Sequence, residues 1–320
     1  RGGRDVSDPS PAPAPGTGPS KRAGACSVLS QRSDEPLAGT AFIRDRWLLI
    51  EHPGPWARTA VDDALEADLL AEIRDRAAGV RLTLIRKPGV RSVERPRVFL
   101  ASAGPEPWMR EVQLTDYDDL RGLDLEALAA GTEPDDGVAV TDPLFFVCTH
   151  GRKEICCAEF GRPVLRALDT ADLPVWEITH IGGDRFAASM IAFPHGYYFG
   201  HLNPLSGLSA ANEFTAGRLQ LGNLRGLSGI PNSAQVAEIH LRTELDARSI
   251  AAVDVLAVEE DDGTAVATLA ADGQQYRVTL ERHEHPEKVL NGCSDQSEMI
   301  PRRYWTPVGH ATVPRRPAVC

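Results

Sequence analysis

"LFFVCTHGRKEICCAEFGRPVLRAL" spans Leu144–Leu168, and its reading decides the fold. "LFFVC" is a short unbroken apolar run, the pattern of a strand buried on both faces. "AEFGRPVLRAL", from Ala158 to Leu168, reads as a helix. Strand, loop and helix in that order are the repeating unit of an α/β fold, and loops at the carboxyl edge of such strands carry sites. Here the loop sets Cys148 at a strand end and Cys157 at a helix start, where the helix dipole favours a thiolate.

Working outward, "VWEIT" (Val175–Thr179) reads as the next strand, and Ala187–Leu202 as a strand pair turning at "PHG". Asn203–Gly217 reads as a helix with Pro204 in its first turn. Upstream a similar order occurs. Arg46–His52 reads as a strand, Val61–Gly79 as a helix, and Val80–Arg86 and Arg95–Ala103 as strands. Tyr117–Gly131 reads as a helix or two short turns, and Thr132–Pro143 as a polar linker. The expected fold class is α/β: two tandem thioredoxin-like units, residues 26–135 and 136–248, with a small C-terminal β-rich appendage over 249–320. A single sheet through both units, or two unlike folds, would overturn that division. Asn232–Leu245 predicts a helix with Val236, Ile239 and His240 on one side. The appendage predicts two or three strands turning at "DDG" and "ADG", then an irregular tail from Ile300. Residues 1–25 read as a disordered Pro/Gly/Ser tail lacking the apolar core of a signal peptide.

The 320 residues suffice for two domains, and 42% apolar with 25% charged residues is a soluble globular composition. A formal net charge of −11 argues against nonspecific nucleic-acid binding and suits docking to a basic partner. No apolar run is long enough for a membrane span. Six unevenly spaced cysteines do not make a secreted disulfide framework, so a reducing, cytoplasmic setting is expected.

The cysteine loop alone leaves four chemistries open. Zinc prefers closer pairs and four ligands. A thioredoxin-type dithiol needs Cys-x-x-Cys, which is absent. Pairing Cys148 with His150 as nucleophile and base meets the alternation of a strand, which points them to opposite faces. An iron–sulfur cluster takes pairs of ligands from two loops. Thr179–Gly200, "THIGGDRFAASMIAFPHGYYFG", supplies a second loop in which His180 and Asp184 flank a glycine pair. Glycines there permit left-handed backbone and close approach of backbone N–H groups.

Cys148, "CAEFGRPV" from Cys157, the second loop and "FPHGYYFG" (Phe193–Gly200) together resemble a thioredoxin-like [2Fe-2S] ferredoxin. "EPLAGTA" (Glu35–Ala41), "WLLIEHPGPW" (Trp47–Trp56), "CTHGRKEICCAEFGRPV" and "HIGGDRF" resemble more closely the sucrase/ferredoxin-like family, over roughly Cys26 to Leu245. The resemblance implies a [2Fe-2S] cluster with Cys148, Cys157 and His180 as ligands. Asp184 stands where fungal relatives have a second histidine and simple ferredoxins a cysteine. It is the expected fourth ligand, with Cys156, His195 and His201 as alternatives. Two thiolates, a neutral histidine and a carboxylate leave the site one charge less negative than four thiolates do. Its potential is therefore expected above that of an all-cysteine ferredoxin. A His180 that lost its proton on oxidation would add pH dependence.

The chain thus reads as a one-electron carrier, not an enzyme, paired with a flavin reductase as donor and an acceptor of unknown identity. The rivals are a thiol–disulfide oxidoreductase using Cys148, Cys156 or Cys157, and a zinc-binding or structural interaction protein. No pair of glycosidase carboxylates stands out. Cys156 reads as a neighbour of the site, Cys26 as a family cysteine without an evident role, and Cys293 and Cys320 as incidental. "HEH" (His283–His285) reads as a solvated strand face, and the first unit as a redox-silent scaffold.

Overall fold

The computed structural model describes residues 24–293 and 299–313. The expected disordered tail, apart from Gly24 and Ala25, and Cys320 lie outside the described residues. Helix α1 (Cys26–Arg32) leads into β1 (Arg46–Glu51), α2 (Ala60–Ala64), α3 (Ala67–Arg76), β2 (Arg81–Arg86), β3 (Arg97–Ser102) and β4 (Trp108–Gln113). A 3-10 turn over Tyr117–Gly122, α4 (Leu125–Ala130) and a two-residue β5 (Val138–Ala139) close the first half. The second half comprises β6 (Leu144–Cys148), α5 (Ile155–Thr170), β7 (Val175–Ile178), β8 (Met190–Phe193), β9 (Tyr197–Phe199), α6 (Pro204–Thr215), β10 (Leu224–Leu227) and α7 (Asn232–Glu244). Four strands follow: β11 (Val253–Asp261), β12 (Thr264–Ala271), β13 (Gln274–Leu290) and β14 (Met299–Thr312).

The first ten strands form one sheet, in the order β10-β9-β8-β6-β7-β2-β1-β3-β4-β5. The expectation of two units with separate sheets is corrected here. The halves fuse where β2 pairs antiparallel with β7 through Ile85–Ile178 and Arg86–Glu177. Within each half the arrangement repeats. The first strand lies between a parallel second strand and an antiparallel third, and the fourth pairs antiparallel outside the third.

Burial follows the alternation of a strand. Trp47, Leu49, Phe146, Cys148, Trp176, Ile178 and Phe193 share one face, whose aromatic core crosses the seam between the halves. On the other face, Phe145 and Val147 pack under Val164, Leu165, Leu168 and Phe214 of α5 and α6. Leu48 and Ile50 pack among Leu69, Ile73 and Leu128 of α3 and α4. Strands buried on both faces are why "LLI" and "LFFV" read as unbroken apolar runs. α6 starts on a capping box formed by Asn203 and Ser206, with Pro204 in its first turn.

α7 buries Ala234, Val236, Ala237, Glu238, Leu241 and Arg242; of the side expected to face inward, Val236 is buried while Ile239 and His240 are half-buried. Glu238 is held inside by Arg242, whose Nε donates to it at 2.9 Å, and by the Tyr197 hydroxyl at 2.7 Å. The last four strands form a separate antiparallel sheet packed on α7, and β14 occupies most of the expected irregular tail. Among the described residues no helix is long and apolar enough to cross a membrane.

Candidate metal centre

β6 carries Cys148 to its carboxyl end, and the following loop enters α5 with Cys157 in the first helical turn. Gly161, one turn further on, faces the Cys148 carbonyl so closely that a methyl group there would overlap it. The helix reaches the strand end only because that residue has no side chain. Alanine favours helices over glycine by up to about 1 kcal/mol, but here the neighbour is backbone. Gly161→Ala is expected to destabilise the chain by about 1–3 kcal/mol, as overpacking does, and to separate Cys157 from Cys148. A denaturant melt showing unchanged or increased stability would contradict this packing.

β7 delivers the second loop. Gly182 and Gly183 have φ of 89° and 73°, so the chain turns through left-handed backbone between His180 and Asp184. The donor atoms of Cys148, Cys157 and His180 lie within 4.8 Å of one another. Cys148 is 1% and Cys157 3% exposed, while the His180 side chain keeps 21% of its surface, so the site opens to solvent on the histidine side. Asp184 stands behind His180 and lies outside the close trio. Its Oδ1 is 2.9 Å from His180 Nδ1, near as an ion pair but poorly aligned as a hydrogen bond.

Sharing of a proton with Cys157 holds the Cys148 thiol well below its usual range despite burial, and His180 adds to the effect. The same sharing pushes Cys157 up. Burial opposes a charge on His180, but contacts with Asp184 and Cys148 more than offset it and push its pKa up to about 9.

Three arginines support the loop, and sequence reasoning missed two of them, Arg81 and Arg225. Arg81, on β2, donates to the His180 carbonyl oxygen at 2.7 Å, so the first half also positions the site. Arg185 pairs with the buried Glu35 of "EPLAGTA" at 2.7 Å. Arg225, on β10, is 1% exposed, makes no direct ion pair among the described residues and donates to the Gly182 carbonyl, the Ser189 hydroxyl and Thr40. Its guanidinium lies beneath Gly183, where a side chain would collide with it, and between the rings of Phe186 and Tyr198. Burial lowers its pKa to about 10, which leaves it cationic and under the loop at neutral pH. No local pattern in "NLRGL" marks such a role; only the fold brings Arg225 under the glycine pair.

The remaining candidates fall elsewhere. His150 points into the first half, 2.7 Å from the Ala57 carbonyl and edge-on to Trp56, so it does not pair with Cys148. His195 sits by Tyr197 and Phe214. His201 packs on Phe186 with Gln31 at 3.2 Å. Cys156 turns away from Cys157 towards Cys26 and Cys293. His283 and His285 lie beside Tyr304 and belong to neither three-residue donor group found among the described residues.

His201 makes a testable pH sensor of stability. Burial and Arg225 lower its pKa from 6.5 to about 4. Between those values the unfolded chain binds a proton that the folded chain does not. Stability is therefore expected to fall as pH drops from 6.5 to about 4, by at most about 3 kcal/mol. His201→Asn keeps a residue suited to the local φ of 51°. It should flatten that part of a pH series of melts; an unchanged acid limb would contradict the assignment.

Two buried thiols, an imidazole and a carboxylate, with His180 Nδ1 and Asp184 Oδ1 lacking well-aligned partners, make a donor set compatible with a metal. Fold and site together define a mixed α/β protein with Cys/His clusters suited to metal binding. The chain belongs to the sucrase/ferredoxin-like family, whose model matches residues 37–209, more than half its length. Comparison with curated proteins and with solved structures found no significant match.

Proposed function

We propose that the chain is a one-electron carrier holding a [2Fe-2S] cluster through Cys148, Cys157, His180 and Asp184. The observation that carries this reading is the convergence of Cys148, Cys157 and His180, from two loops after adjacent parallel strands, on one buried point. When bound, such a cluster supplies a one-electron couple whose potential is tuned by its ligands and their hydrogen bonds. Asp184 would be the fourth ligand, turning from its present contact with His180. Failing that, it would orient His180 from behind.

The chain's own residues do the rest. Arg225 places a fixed positive charge beneath the glycine pair, favouring the more negative, reduced state. Arg225→Met is therefore expected to lower the potential; potentiometric titration giving an unchanged or higher value would contradict that role. The partly exposed His180 edge lines an open groove with Arg58, Arg81, Lys153 and the Arg74–Asp62 ion pair, a lining of net positive charge. In a chain of net charge −11, this local basic character supports docking of an acidic face of a redox partner, such as a flavin reductase, at the edge nearest the site.

The strand arrangement repeats in the two halves of the single sheet, about residues 26–135 and 136–248, and only the second half would hold the cluster. The sparse, unevenly spaced cysteines of the sequence support a reducing, cytoplasmic setting. The thiol–disulfide alternative is weakened by burial, because Cys148, Cys156 and Cys157 are 1%, 0% and 3% exposed. Iron and sulfide analysis of anaerobically purified protein, with EPR after reduction, tests the cluster. Asp184→Ala and Asp184→Cys test the fourth ligand, the cysteine being expected to lower the potential.

A further inference from the structure

We infer that Cys26, Cys156 and Cys293 form a second metal site, separate from the proposed cluster, that binds one thiophilic cation, zinc(II), as a structural staple. The three sulfurs converge with Cys26–Cys156 at 3.7 Å, Cys26–Cys293 at 3.3 Å and Cys156–Cys293 at 2.9 Å. Two of these separations are below the roughly 3.5 Å at which even carbon atoms rest without bonding. A disulfide uses two sulfurs and strands the third, whereas a cation uses all three.

The donors come from three remote segments: α1, the first turn of α5, and the loop after β13. Cys26 is 2% exposed and Cys156 is fully buried. Cys293 is half-exposed, so solvent can supply the fourth ligand that zinc prefers. Surrounding hydrogen bonds fix the donors. The Cys26 backbone N–H donates to Cys293 Sγ at 3.4 Å, and the Cys293 N–H donates to the buried Glu154 carboxylate at 2.8 Å.

Consecutive residues of a helix point about 100° apart. Cys157 can therefore serve the first site while Cys156 serves the second. Zinc binding replaces the thiol protons, which leave to solvent, and clamps the N-terminal helix and the C-terminal sheet to the helix that carries Cys157.

Metal analysis of the full chain, purified without chelator, tests this. About one zinc per chain is expected. Cys26→Ser and Cys293→Ser should lower it at least about tenfold, the smallest loss usual even for partners outside the ligand shell, while iron and visible absorption stay at the wild-type level. Cys148→Ser should lose iron and keep zinc, which separates this site's failure from the cluster's. Should either serine variant fail to fold, cobalt(II) added to zinc-depleted wild-type protein should give the absorption of tetrahedral thiolate cobalt, displaced by zinc. Wild-type protein that takes up neither metal would overturn the site. So would zinc retained in both variants, or a native disulfide between Cys156 and Cys293.

Discussion

Replacing Cys148 by serine is expected to strip the iron from the chain and bleach its visible absorption while the fold survives. Serine matches cysteine in shape, and Cys148 is 1% exposed at the end of a strand whose backbone pairs with β7 and β8 on either side. In the proposed cluster the iron ligand is a thiolate, and a serine hydroxyl gives up its proton far less readily than a thiol. Cys157→Ser should act alike, since its sulfur is the second thiol of the same trio. Asp184→Ala should be milder, because Asp184 stands behind His180. Iron per folded chain, with circular dichroism as the check on folding, measures all three. Full iron retention in Cys148→Ser would remove that residue from the site.

Arg242→Met is expected to cost about 3–5 kcal/mol of stability, the range for breaking a buried ion pair by removing one partner. Arg242 and Glu238 are 0% and 1% exposed. The guanidinium also donates to the carbonyls of Ala247, Ser249 and Ile250, which tie α7 to the start of the C-terminal sheet. Methionine fills the space but leaves Glu238 charged and buried, with one oxygen already lacking a partner. Adding Glu238→Gln removes that charge and should recover part of the loss. Denaturant melts of both single variants and the double variant measure the coupling. A loss of less than about 1 kcal/mol in Arg242→Met would place the pair among solvated bridges instead.

Elements with a strong local signal could be read from the chain. β6, β7 and the β8–β9 hairpin lie in apolar runs bounded by turn residues, and α6 carries its own cap. β4 ("WMREVQ") and β10 ("LRGL") escaped because they are short and polar or glycine-containing near the sheet edges. The fusion of the halves rests on two residue pairs between β2 and β7, and nothing local announces a partner so far along the chain. β14 carries Pro301 and Pro307, which argue against a strand except at an edge, and an edge is where it lies.

The site divides the same way. Cys148, Cys157 and His180 could be named as candidates because their stretches resemble the sucrase/ferredoxin-like family; the cysteine loop alone left four chemistries open. Asp184 was found by position, but its contact with His180 was not. Arg225, Arg81 and the cluster of Cys26, Cys156 and Cys293 depend on contacts across the fold; Cys26 and Cys293 are 267 residues apart. Six cysteines in 320 residues gave no spacing from which to join them.

Iron and acid-labile sulfide, counted per chain on anaerobically purified protein and followed by EPR after reduction, test the central claim most directly. The proposed cluster requires about two of each, with a paramagnetic signal on adding one electron that Cys148→Ser abolishes. A colourless protein with no iron, holding zinc on Cys148, Cys157 and His180, would contradict it.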